Sequence, residues 1–334
     1  MRFIGGKSLL LNNIVDVINE NAKNVVKVGD LFTGSGVVAQ RFKSLGYKVI
    51  ANDLMYMSYC LSRGMIELNT PPKFEGLNID VFDYLNNILE PSDKRKCFIY
   101  NNYSPVGNCE RMYFQPDNAW KIDSIRQQIE VWYQSGVIVE AEYFYLISCL
   151  LSAVPYVSNI TGVYASYLKH WDKRTYNVLE VKPIKVISSD KICKSYNLSA
   201  DKVCDYEDFD LVYIDTPYNS RQYTPNYHIL ETIARYDYPE LHGKTGMRDY
   251  QRSQFCQRGV VADAFNDLFK SLKTRYAMVS YNNEGLLTTE EMTDILVGFG
   301  NVRLYEYPYR RYKSKIPNNE SGLKEQIYFV EMKR

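Results

Sequence analysis

The sequence predicts an α/β fold: a mostly parallel sheet flanked by helices and interrupted by a helical insertion. Three observations carry this. Residues 1–69 alternate short apolar runs with segments of helical periodicity. Short apolar runs return after residue 180. Between them, over 70–180, strand signals give way to helices.

The elements follow in order. Leu10, Ile14, Val17 and Ile18 recur at helical spacing, so residues 7–22 read as a helix. Residues 25–31 read as a strand, Gly34-Ser35-Gly36 as a turn, and the chain to about Leu45 as a helix. Residues 47–51 form the next strand and 54–68 the next helix. This βαβα opening is how a parallel sheet begins. Thr70-Pro71-Pro72 breaks the alternation. Ile122, Ile125, Ile129 and Trp132 mark an amphipathic helix that serves as core, residues 137–154 mark a more buried one, and a third short helix follows Thr161-Gly162. Strands are expected again at 183–187, 209–214, 277–281, 301–307 and 327–332, with helices at 227–236, 261–272 and 289–299. Residues 240–257 read as a polar, mobile loop. The domain reading is residues 1–69 and 181–334 as one catalytic unit, with 70–180 inserted into it.

Composition sets limits. A chain of 334 residues with 46% hydrophobic content can build a full core. The 40 basic and 39 acidic residues give a net charge of +1, which leaves room for a local basic groove without requiring one. Seven scattered cysteines form no CxxC pair, and the three histidines stand apart, so neither a disulfide framework nor a metal site is expected. Arg2 is followed by a glycine pair rather than an apolar run, so no signal peptide is expected. The apolar stretch 143–157 is broken by Ser148, Ser152 and Pro155 and falls short of the ~20 residues that span a bilayer. A cytoplasmic protein is the expectation. The 30 tyrosines accompany abundant Asn, Ile and Lys, as codon bias in an AT-rich genome would produce.

Two motifs suggest chemistry. The strand in Asp210-Leu211-Val212-Tyr213-Ile214 ends in Asp215-Thr216-Pro217-Tyr218. Ligands of open α/β sheets bind beyond the carboxyl ends of the strands. A carboxylate accepts from an amino group and a ring stacks on a flat base, a pairing suited to an exocyclic nucleobase amine. The second motif is Asp30-Leu31-Phe32-Thr33-Gly34-Ser35-Gly36, with Asp53 at the end of the next strand. Glycines there let a backbone approach a ligand, and an acid at the next strand end can accept both hydroxyls of a ribose. By itself GxG is an ordinary tight turn. Val37, Val38 and Ala39 replace the third glycine of a dinucleotide fingerprint, which weakens a dehydrogenase reading. Phe3-Ile4-Gly5-Gly6-Lys7 adds a glycine pair and a lysine able to meet a carboxylate.

Taken in chain order, Phe3–Lys7, Asp30–Gly36, Asp53, the helical insertion, Asp190 and Asp215–Tyr218 resemble the DNA adenine methyltransferases of the Dam-like class. Asn219-Ser220-Arg221-Gln222-Tyr223 and Tyr281-Asn282-Asn283-Glu284-Gly285 share the likeness. The resemblance implies a Rossmann-like class I methyltransferase fold that uses S-adenosylmethionine. It assigns Phe3, Gly5, Gly6, Lys7, Asp30, Phe32, Thr33, Gly34, Ser35 and Gly36 to the methionine part of the cofactor, Asp53 to its ribose, and Asp190 to its adenine amine. Asp215, Thr216, Pro217 and Tyr218 become the catalytic motif. Thr216 departs from the family's usual proline: its carbonyl remains, while the ring that fixes φ is lost.

The implied reaction needs no covalent enzyme intermediate. Two acceptors, Asp215 and the Thr216 carbonyl, would draw the amine toward a pyramidal nitrogen whose lone pair attacks the methyl group. In duplex DNA the target must first flip out of the stack, and Tyr218 would receive it. Candidate DNA contacts are Arg221, Lys244, Arg248, Arg252, Arg310, Arg311 and Lys313, with the insertion reading sequence. The implied partners are double-stranded DNA and a cognate restriction endonuclease, with no membrane and no metal. Cytosine N4 methylation and a non-catalytic DNA-binding subunit stand as alternatives.

Overall fold

The computed structural model describes residues 6–220, 222–308 and 322–333. A turn of 3-10 helix, Lys7–Leu9, leads into α1 (Leu11–Asn21), β1 (Lys27–Asp30), α2 (Val37–Ser44), β2 (Lys48–Asn52) and α3 (Tyr56–Ser62). The insertion follows with α4 (Val81–Asn87), α5 (Phe98–Tyr103), α6 (Pro116–Gln134) and α7 (Glu140–Ala153). The chain returns through β3 (Lys194–Tyr196), α8 (Ala200–Val203), β4 (Phe209–Ile214), α9 (Thr224–Arg235), β5 (Leu241–His242) and β6 (Met247–Arg248). It closes with α10 (Val261–Ser271), β7 (Thr274–Asn282), α11 (Thr289–Val297), β8 (Gly300–Pro308) and β9 (Lys324–Met332).

The main sheet has the order β3-β2-β1-β4-β7-β9-β8. The first five strands are parallel, and β9 lies antiparallel between β7 and β8. Both faces are covered, which is why its central strands read as continuous apolar runs rather than alternating ones. Leu211 and Tyr213 of β4 and Tyr276 and Met278 of β7 face a layer built from α1, α2, α3, α6, α7 and α9. Phe209, Val212 and Ile214, with Ala277 and Val279, face α8, α10 and α11. Side chains such as Phe42 and Leu146 are fully buried, and each contributes roughly 1.5–3 kcal/mol. The insertion helices share this packing: Ile122, Ile125 and Ile129 of α6 belong to the same core as β1 and β4. Among the described residues no helix is long and apolar enough to cross a membrane.

Several expectations need correction. Residues 183–187 form no strand. Side chains take backbone bonds in and just before this stretch: Asn86 holds Val181 at 2.8 and 2.9 Å, and the Tyr145 hydroxyl donates to the Ile184 carbonyl at 3.0 Å. The strand in this region is instead β3, whose Lys-Ser-Tyr sequence carries no apolar signal. The helix expected after Thr161-Gly162 is only a 3-10 turn at Lys173–Tyr176. The loop expected over 240–257 contains the β5–β6 hairpin and a 3-10 turn, Gln254–Cys256. The helix expected over 54–68 is α3 continued by a π-helical stretch, Arg63–Glu67.

Gly64 lies in that stretch where it crosses α7. A Cβ added there would overlap Ser148 Oγ and sit 3.0 Å from the Phe144 carbonyl. Ser148 cannot easily move, because its hydroxyl is within 2.8 Å of both the Cys60 and Phe144 carbonyls. Gly64→Ala is therefore expected to destabilise the protein by about 1–3 kcal/mol, through overpacking, as read from a urea midpoint at unchanged m-value.

Candidate functional site

The site forms at the carboxyl edge of the parallel strands, where β1, β2 and β4 end side by side. After β1 the chain turns through Gly34 (φ 54°) and Gly36 (φ 78°), left-handed conformations that glycine adopts without a Cβ clash. Thr33 fastens this turn to β2. Its Oγ1 lies 2.9 Å from the Asp30 carbonyl and 3.0 Å from the Asn52 carbonyl, and accepts from the Asn52 N–H at 3.0 Å. The Asn52 amide reaches both ways. Its Nδ2 donates to the carbonyls of Leu31 and Leu198 at 3.1 Å, and its Oδ1 accepts from the Leu198 N–H at 3.1 Å. One buried side chain thus ties the chain leaving β1 to the chain leaving β3.

Asp53 follows directly. One carboxylate oxygen accepts from the Gly34 N–H and the other from the Met55 N–H, both at 2.8 Å, so the group is aimed before any ligand arrives. Burial pushes its pKa up to about 6 against the pull of those two N–H groups. Asp30, at the end of β1, is 1% exposed and its Oδ1 has no partner among the described residues. Burial, and then the charges of Asp215 and Asp53, hold its carboxyl well above the usual range.

Beyond β4 lies Asp215. Its Oδ1 is 3.2 Å from Lys7 Nζ, and the same nitrogen is 3.2 Å from Glu325 Oε2 on β9. The lysine side chain is 2% exposed and lies 5.6 Å from the Tyr218 ring centroid. Burial pulls the Lys7 pKa down, but the two carboxylates outweigh it and keep the ammonium charged. Burial raises Asp215 to about 6, with Lys7 opposing and Glu325 reinforcing the shift. Tyr218 stands edge-on to Tyr281 at 6.3 Å, and its carbonyl accepts from the Leu286 N–H at 2.8 Å. Gly285 permits that turn: a Cβ there would collide with the Tyr281 ring.

Gly6, Lys7, Asp30, Phe32, Thr33, Gly34, Ser35, Asp53, Asp215 and Pro217 line one common cleft. Its empty space, including the part open to solvent, is about 920 Å³.

Residues 3–295 match the model of a family described as the D12 class of N6 adenine-specific DNA methyltransferases. The chain belongs to this family. It is 44% identical over 341 residues to the type II methyltransferase M.FokI of Planomicrobium okeanokoites, covering 99% of this chain and 52% of that protein. Against the modification methylase StsI of Streptococcus sanguinis the identity is 38% over 343 residues, covering 100% and 52%. Against the type II methyltransferase M.NlaIII of Neisseria lactamica it is 34% over 324 residues, covering 96% and 95%. The chain thus spans about half the length of the first two relatives and nearly all of the third.

The cleft of this D12-family chain suits S-adenosylmethionine chemically. Three acids, Asp30, Asp53 and Asp215, line it. They suit a ligand that carries a sulfonium, an ammonium and a ribose, and the unpartnered Asp30 Oδ1 is an acceptor still to be filled. Leu54, Met55, Ser58, Gln251 and Ser253 also line it and were not named as site residues from the sequence; Tyr213 of β4 and Gln222 and Tyr223, from the segment that shares the family likeness, line it too. Gln222 and Ser253 are joined by two hydrogen bonds, 3.0 and 2.8 Å, which bring the 250s strap to the cleft. Hydrophobicity did mark Leu54 and Met55, but only as helix.

Other expected site residues lie elsewhere. Asp190 is 79% exposed, pairs with Lys191 at 3.1 Å and does not line the cleft. The strand expected just before it does not form, so it marks no strand end. The strand that does form is followed by Asn197, whose Nδ2 donates to the carbonyls of Asp53 and Leu54 at 2.8 and 3.0 Å. Arg248 is buried and grips both Asp237 oxygens, at 2.9 and 2.6 Å, which removes it from the candidate DNA contacts. Lys244 and Arg252 are exposed. Thr216 is 1% exposed, its hydroxyl has no partner among the described residues, and it is not part of the cleft lining. Phe3, Gly5, Arg221, Arg310, Arg311 and Lys313 lie outside the described residues.

Removing the Asn52 amide strands buried backbone groups of Leu31 and Leu198. Asn52→Ala should cost about 1–3 kcal/mol of stability, seen as a lowered denaturant midpoint.

Proposed function

We propose that the chain transfers a methyl group from S-adenosylmethionine to the N6 amine of adenine in double-stranded DNA, as the modification enzyme of a restriction system. The observation that carries this reading is the opening of Asp215 and of the Asp53-and-glycine half-site into one cleft. The chain's membership of the D12 family and its likeness to type II methyltransferases support it.

The cofactor supplies an electrophilic methyl group on a sulfonium. The protein's own contribution is orientation and charge. An exocyclic adenine amine is a poor nucleophile because its lone pair is delocalised into the ring. Lys7 occupies the Oδ1 side of Asp215, which leaves the other oxygen to accept from an N6–H. The Thr216 carbonyl is the second acceptor in this reading, and the buried side chain fixes the backbone there without a proline ring. With both N–H bonds held, the nitrogen lone pair points at the methyl carbon. Holding the two reactants in line supplies much of the rate. Tyr218, braced edge-on by Tyr281, offers the face on which a flipped base stacks.

The insertion, residues 70–180, and the β5–β6 hairpin form the DNA-reading side in this proposal. The hairpin is tethered to the insertion. Arg111 donates to the carbonyls of Lys244 and Gly243 at 3.1 and 3.2 Å, and the Tyr103 hydroxyl donates to the Gly246 carbonyl at 2.8 Å. Exposed Lys244 sits at its turn, where a phosphate contact would be screened by salt.

Duplex DNA incubated with labelled S-adenosylmethionine, digested and resolved into nucleosides, should yield labelled N6-methyl-2′-deoxyadenosine. Label in N4-methylcytosine would reassign the target base, and no label would refute the activity. Asp215→Ala should still bind S-adenosylmethionine in calorimetry yet transfer no methyl group. The acceptor role requires the ionised carboxylate, so turnover should be full above the Asp215 pKa and fall as pH drops through about 6. A flat profile from pH 5 to 8 would count against Asp215 as the acceptor.

A further inference from the structure

We infer that Glu325, a residue of the antiparallel strand β9, is a positioning residue for the Asp215 carboxylate and acts through Lys7. The inference rests on the proposed methyl-transfer reading and deepens it. Glu325 is 2% exposed. A buried carboxylate is costly unless it is paired, and its ion-pair partner among the described residues is Lys7, at 3.2 Å. The same ammonium is the counter-ion of Asp215, also at 3.2 Å. One cation is therefore shared by two acids from different strands: Asp215, just past β4 in the parallel part of the sheet, and Glu325 on β9, inserted antiparallel on the far side of β7.

Sharing has a chemical consequence. If Lys7 belonged to Asp215 alone, it would draw charge from the carboxylate and weaken it as an acceptor. Glu325 pulls the ammonium the other way and adds its own negative charge nearby. The result is a carboxylate that is ionised near neutral pH yet incompletely neutralised, which is the state an amine acceptor needs. Other groups face Asp215 without replacing this balance. Asp30 on β1 adds negative charge but holds no partner for Lys7. Tyr213 on β4 and Tyr223 ahead of α9 are both pushed well above the usual phenol range, by burial first, and stay neutral. On β9, register sets Glu325 opposite Asn282 of β7 and Tyr307 of β8. Among the described residues, these register partners bring no second cation to that point.

The test is the pH dependence of single-turnover methyl transfer to duplex DNA. Glutamine keeps the shape of Glu325 and an oxygen that can accept from Lys7, and calorimetric binding of S-adenosylmethionine checks that the cleft is intact. In Glu325→Gln, Asp215 keeps its cation and loses a like charge. The acid limb of the rate profile should move to lower pH, by on the order of one unit. Lys7→Met should move it the opposite way, because Asp215 then faces Glu325 with no cation between them. Opposite displacements are not produced by general loosening of the fold, which would lower the rate at every pH. A Glu325→Gln profile that overlays the wild type, or moves upward, overturns the inference and leaves the methyl-transfer reading intact. So does a Lys7→Met limb that fails to rise. Absence of transfer by the wild-type protein at every pH would overturn both.

Discussion

The arrangement depends on stitching the carboxyl ends of parallel strands to one another. Strands in a parallel sheet end with unpaired backbone groups just where a ligand must be received. Here Thr33 and Asn52 take up those groups, and they do so across strands: Thr33 links the turn after β1 to β2, and Asn52 links it to the chain after β3. With the ends tied, the Gly34 N–H can point at Asp53, and Asp53 is aimed without help from a ligand. The glycine turn, Asp53 and the loop after β4 then share one rim. Loosening this rim would cost more than stability, because the glycine turn and Asp53, both proposed to touch the cofactor, are placed by it.

A second constraint is charge. The cleft collects three acids, with Lys7 their close cation among the described residues. Such a surplus raises carboxylate pKa values and is unfavourable in isolation. It becomes sensible for a site whose ligand brings positive charge. The unpartnered oxygen of Asp30 fits the same logic, as a polar atom whose partner arrives with the ligand.

Much of this was legible in the sequence, for reasons that can be named. Strands β1, β2, β4, β7 and β9 are apolar because both faces of the sheet are covered, so composition alone revealed them. Glycines and acids at strand ends stood out because backbone approach and ribose binding demand those residue types. What stayed hidden was set by pairing rather than by composition. Strand β3 is too short and polar to show itself, and its absence from the reading displaced the expected adenine-side acid to Asp190. Arg248 looked like any exposed loop cation until Asp237 was found to hold it. Glu325 carries no motif. Its meaning comes from a contact 318 positions away, which no local pattern can encode.

That separation bears on how the site comes into being. Contacts between residues so far apart in sequence are entropically expensive to close and tend to form late. The ammonium next to Asp215 receives its second counter-ion only after β9 has slotted between β7 and the edge strand β8. The Lys7–Glu325 pair therefore exists only when β9 is in the sheet. Any fluctuation that peels the β8–β9 margin away would break that pair while the Gly34–Asp53 side of the cleft still stands.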